Sequence, residues 1–187
     1  MALQLLNSPM SHNLFGFSTK AFEQFIQAVA SHVIGPGILI FGSGPDGGRE
    51  ATFDGKIPFP FTSDQWDGYG VIQAKCKEKS EGTELDQEWA LKQLRRELED
   101  FATKPKRKHK PQYYIFATNV VLTPVAISGG KDLAEELLHS FRDRLPLKDF
   151  RIWDRDQLCN FLDVYSELRR RFSAYTSPVA LRSIVVA

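Results

Sequence analysis

The chain has 187 residues, with 42% apolar and 25% charged residues and a formal net charge of +1. That composition is ordinary for a globular protein and excludes a disordered or fibrous one. No run long enough for a membrane span occurs, and the N-terminus lacks the basic start and apolar run of a secretory signal, so an intracellular, cytoplasmic protein is expected.

Charge is not evenly spread. Residues 1–75 carry 4 basic and 6 acidic groups, and the remainder carries 20 basic and 17 acidic groups. Cys76 and Cys159 cannot form a metal cage by themselves and read as reduced, largely buried thiols. The four histidines, His12, His32, His109 and His139, show no metal-ligand spacing. Trp66 and Trp89 read as packing residues.

In chain order, Phe22, Phe25, Ile26, Val29, Ala30 and Val33 recur at helical spacing and predict a helix from about Thr19 to Val33, ended by Gly35-Pro36-Gly37. Ile38–Phe41 reads as a short, fully buried strand. Arg49–Phe53 reads as a second strand, followed by a Pro- and Gly-rich excursion through Pro58, Pro60 and Gly68. Tyr69–Lys77 is a third strand that alternates. Thr83 and Asp86 have the spacing of a capping box, with Leu85, Leu91, Leu94, Leu98 and Phe101 as the apolar stripe of the helix that follows.

Tyr113–Leu122 reads as a strand, Lys131–Arg144 as a helix and Phe150–Trp153 as a short strand. Asp154 with Gln157 caps a last helix carrying residues from Leu158 to Phe172. The order α-β-β-β-α-β-α-β-α predicts an α/β fold, a mixed sheet flanked by helices. Residues 1–172 form one expected domain. Residues 173–187, with Pro178 and Ile184-Val185-Val186, read as a linker toward a further domain.

Two readings compete for one loop. Gly42-Ser43-Gly44-Pro45-Asp46-Gly47 spells G-x-G-x-x-G after an apolar strand, which suggests a dinucleotide turn. That motif needs a helix to open at its third glycine, and no helix of useful length fits before Pro58 and Pro60. The second reading joins the loop to the third strand. Gln73, Lys75 and Lys77 alternate with Ile72, Ala74 and Cys76, so one face is apolar and the other presents an amide and two ammonium groups. A hairpin returning the third strand beside the second can bring Asp46 near Gln73 and Lys75. A carboxylate, an amide oxygen and a lysine suit a hard divalent ion and an attacking water.

Gly44-Pro45-Asp46-Gly47-Gly48-Arg49-Glu50, followed by Val71-Ile72-Gln73-Ala74-Lys75, resembles the PD-(D/E)XK nuclease superfamily, and within it the Mrr-type restriction endonucleases, which typically carry Gln in place of the middle acid. The resemblance covers about residues 19–165. It implies a restriction-endonuclease-like three-layer fold and Mg²⁺- or Mn²⁺-dependent hydrolysis of double-stranded DNA. By the resemblance Asp46 is the metal-binding aspartate, Gln73 the substituted acid position beside the metal, and Lys75 the catalytic lysine. Glu23, the one acid of the first helix, and Glu50, four residues past Asp46, are the candidates for additional acidity.

Similar domains sit at the N-termini of bacterial antiphage STAND NTPases. That implies an effector of antiviral defence, a C-terminal regulatory domain, and a dimer or higher homo-oligomer for double-strand cleavage. The basic run Lys104-Pro105-Lys106-Arg107-Lys108-His109-Lys110 falls in a loop, and Lys104, Lys106, Arg107, Lys108 and Lys110, with Lys77, are candidate DNA-phosphate contacts. The alternatives are a catalytically inactive module that binds nucleic acid or a protein partner, and a nucleotide-binding regulator using the glycine loop.

Overall fold

The computed structural model describes residues 12–41, 50–126 and 128–176. After a 3₁₀ turn at Leu14–Gly16, α1 spans Thr19–Val33 and begins where the Ser18 hydroxyl accepts the Ala21 N–H. The strands are β1 (Leu39–Ile40), β2 (Ala51–Phe53), β3 (Lys56–Phe61), β4 (Asp64–Asp67) and β5 (Gly70–Lys75). Then follow α2 (Thr83–Thr103), β6 (Tyr113–Thr118), α3 (Gly130–Ser140), β7 (Asp149–Trp153), α4 (Arg155–Val164), α5 (Ser166–Arg171) and α6 (Ser173–Thr176).

Five strands form one sheet in the order β1-β2-β5-β6-β7, antiparallel from β1 to β5 and parallel from β5 to β7. The protein is therefore α/β, with a mixed sheet flanked by helices on both faces. Side chains alternate across a strand, so β5 serves two cores. Ile72 and Ala74 pack with α1, α4 and α5, while Val71 packs with α2 and α3 together with Tyr114 and Phe116 of β6. Gly70 sits opposite Phe53 in register, and a Cβ there would fall 2.0 Å from the Phe53 ring, which keeps the position glycine. Among the described residues no helix is long and apolar enough to cross a membrane.

Several sequence expectations need correction. β1 is an edge strand, not a buried one: Leu39 and Ile40 are 62% and 51% exposed, because only β2 pairs with it. The Pro-rich excursion holds the antiparallel hairpin β3–β4, a separate two-stranded sheet in which prolines are tolerated because neither strand is central. The capping box at Thr83 does not form. Gly82 takes the N-cap position at φ 105° without a side-chain bond, and Asp86 accepts instead from Lys77, Ser80 and the Glu81 N–H. The last expected helix is interrupted at Tyr165, whose backbone is extended, dividing α4 from α5. Ser173–Thr176, expected in a linker, are helical, and the buried Thr176 accepts the Asn13 N–H through its carbonyl oxygen.

Candidate functional site

Antiparallel pairing matches Ala51 with Ile72, and the preceding Glu50 N–H also donates to the Ile72 carbonyl oxygen at 3.1 Å. The Glu50 carboxylate takes over as acceptor, its Oε2 lying 2.8 Å from the Ala74 N–H. From α1, Gln27 Nε2 donates to the carbonyl oxygens of Phe41 and Glu50 at 2.7 and 3.2 Å, which pins the ends of β1 and β2 beside the site.

Gln73 is fully buried on the α2 face of β5. Its Oε1 accepts the Tyr114 hydroxyl, and its Nε2, which completes no full hydrogen bond among the described residues, lies near enough to Glu97 to favour that carboxylate's charge. Lys75, two residues on and on the same face, reaches Glu97 of α2, with Nζ 2.6 Å from Oε1. The other Glu97 oxygen holds Arg107 at 2.7 Å, and the Arg107 guanidinium stacks 4.4 Å from the centroid of Phe101. Glu97 is thus a buried acid shared by two cations from two different segments.

Electrostatics follow from that arrangement. Burial works against the Glu97 charge, but the Lys75 hydrogen bond and charge, the Gln73 amide and Arg107 outweigh it, and the carboxyl lies below its ordinary pKa. Burial first, then the charges of Glu97 and Glu50, push the Tyr114 phenol well above its usual value, with Arg107 opposing them. The two carboxylates therefore both act on the Tyr114 phenol. Tyr114 stays a neutral donor throughout ordinary conditions.

Placement of the remaining expected residues is mixed. Asp46 lies outside the described residues, as does the rest of 42–49. Glu50, Gln73 and Lys75 are brought together. Glu23 sits on α1, one turn before Gln27, where its charge helps to raise the Cys76 pKa behind burial and Glu78.

Lys77 is no phosphate contact, because it is buried with Nζ 2.6 Å from Asp86 and 2.7 Å from Glu81. Arg107 is likewise consumed by Glu97, and Lys104 pairs with Asp100 at 2.7 Å. Lys106, Lys108 and Lys110 remain exposed on the loop.

Glu97 and Tyr114 were not anticipated. The signal for Glu97 was present: it falls three residues after Leu94 and seven after Ala90, inside the apolar stripe of α2. An acid on a buried stripe requires a buried cation, and Lys75 on the neighbouring strand is one.

The donor chemistry fits a hard divalent ion. Carboxylate and amide oxygens are the groups such an ion prefers, and Gln73 Oε1 has a second lone pair beyond the one facing Tyr114. Among the described residues no group of three His, Cys, Asp or Glu side chains gathers. Comparison with protein-family models, with curated proteins and with solved structures finds no match to this chain.

Proposed function

We propose that the domain is a metal-dependent endonuclease of the PD-(D/E)XK type, with a restriction-endonuclease-like fold, hydrolysing phosphodiester bonds of double-stranded DNA. The observation that carries this reading is the Glu50 carboxylate seated on the Ala74 N–H, between Gln73 and Lys75, which share one face of β5. Asp46, Glu50 and Gln73 would hold Mg²⁺ or Mn²⁺, which supplies Lewis-acid activation of water and phosphate. Lys75 orients the attacking water and offsets negative charge gathering on the phosphate. Glu97 holds the Lys75 ammonium in place, and it supplies from a helix a carboxylate that residue 73 lacks. Tyr114 fixes the amide of Gln73.

One such site cuts one strand, so double-strand cleavage calls for two copies of the domain. A role as effector of a bacterial antiphage system under a C-terminal regulatory domain belongs to the same proposal. Plasmid nicking in Mg²⁺ or Mn²⁺ tests it: Asp46→Ala and Lys75→Ala should each abolish cleavage by the folded protein, and Lys75→Ala should also lower the melting temperature because buried Glu97 loses one of its two cations. Full activity in both would remove the mechanism.

A second reading, a binding module without catalysis, draws on the closed pairing of Lys75 with Glu97 and of Gln73 with Tyr114. A protein that retards DNA in a gel yet leaves it intact in Mn²⁺ would favour it.

A further inference from the structure

The core built by α2 and α3 draws on β5, β6 and β7. Beside it, toward β1 and β2, a cleft of about 480 Å³ opens between the sheet and the 104–110 loop. Arg107 ties that loop to Glu97, so the cleft and the candidate site share an anchor.

Three features of the cleft belong together. Tyr69 and His109 stand side by side on its wall, their ring centroids 5.9 Å apart and inclined at 56°. Lys108 and Lys110 line it and are exposed; Lys110 makes a 3.5 Å bond to the Arg144 carbonyl oxygen. Leu39, 62% exposed, and the exposed Asp54 are also on the lining.

We propose that this cleft takes an unpaired segment of nucleic acid. Bases stack on Tyr69 and His109 and lie against Leu39, phosphates meet Lys108 and Lys110, and Asp54 accepts from an exocyclic amine. A basic track with interleaved rings is how single strands are held without strict sequence preference. Duplex fits less well on two counts. Its base faces are occupied by stacking and its pairing edges by the partner strand, so rings find nothing to stack on. The Asp54 carboxylate, moreover, would repel a phosphate backbone laid across it, whereas a base amine satisfies it. The proposal leans on the nuclease reading only for the ligand being nucleic acid.

Fluorescence anisotropy in EDTA, with one labelled sequence as single-stranded DNA, single-stranded RNA and duplex, tests this without any cleavage. The single strand, as DNA or RNA, should bind at least about tenfold more tightly than duplex, and His109→Ala and Tyr69→Leu should each weaken it about fivefold or more. The Lys108→Ala/Lys110→Ala double variant should flatten the salt dependence of single-strand binding by a slope of roughly 1.4.

Equal or tighter duplex binding overturns the proposal, as does unchanged single-strand affinity in His109→Ala, a surface change that leaves the core intact. Duplex that is nicked while single strands go unbound removes this inference and leaves the nuclease standing. Failure to bind any of the three ligands removes this inference, while the nuclease reading stands or falls on plasmid nicking in Mg²⁺ or Mn²⁺.

Discussion

Replacing Glu97 by glutamine preserves the shape of the side chain and removes its charge. One carboxylate then ceases to serve two cations, Lys75 at 2.6 Å and Arg107 at 2.7 Å. The two are not equally trapped: the Lys75 side chain is 24% exposed and can turn toward water, whereas that of Arg107 is 9% exposed and cannot. Removing one partner of a buried pair costs about 3–5 kcal/mol, and partial rehydration of Lys75 places Glu97→Gln at the lower end, about 3 kcal/mol. For a chain of this size that lowers the melting temperature by roughly 6–12 °C.

The pH dependence has a definite sign. The folded pKa of Glu97 lies below the unfolded value, so its stabilisation is complete above about pH 4.3 and is lost as pH falls through the folded pKa. Glutamine carries no such contribution at any pH. Urea unfolding of both proteins should therefore show the widest gap near neutral pH and a closing gap in acid. A difference below about 1 kcal/mol at neutral pH, or one that stays constant into acid, would refute the shared-clamp account of Glu97.

Tyr114→Phe strips Gln73 Oε1 of its donor in a fully buried position and should cost about 1–3 kcal/mol in urea unfolding. In an alkaline spectroscopic titration of the native protein, the Tyr114 phenol should stay un-ionised after exposed tyrosines have titrated. Burial pushes the Cys76 thiol up to about 12 and raises Cys159 as well, so Ellman's reagent should modify neither until denaturant is added. Lys77→Met leaves Asp86 without its buried cation; melting temperature should fall while nicking by the folded fraction is retained, which separates Lys77 from the site.

How much was legible in the sequence depends on which physical signal each segment carried. α1 was readable to the residue because its apolar spacing is unbroken and Ser18 and Gly35 bracket it. Asp154 as N-cap was readable too, since the Gln157 N–H does bond to it at 3.2 Å. The β3–β4 hairpin was hidden because prolines mask strand character in a two-stranded sheet. β1 looked buried because Ile38-Leu39-Ile40-Phe41 is uniformly apolar, but whether such a run lies at the centre or the rim of a sheet is decided by pairing partners, which local pattern does not encode.

In the site, period-two alternation put Gln73 and Lys75 on one face correctly. It could not say that this face would be covered by α2, and so it missed Glu97 and left Lys77 and Arg107 looking like free surface cations. Ion pairing across elements distant in sequence is what hid them.

The Lys75–Glu97–Arg107 bridge has one more implication. Charges buried in this way are commonly matched or surpassed in stability by well-packed hydrocarbon of similar volume. Methionine at 75 and 107 with leucine at 97 should therefore yield a hardier protein that is chemically mute. The three ions joining β5, α2 and the 104–110 loop are thus not what stability alone would require of this space.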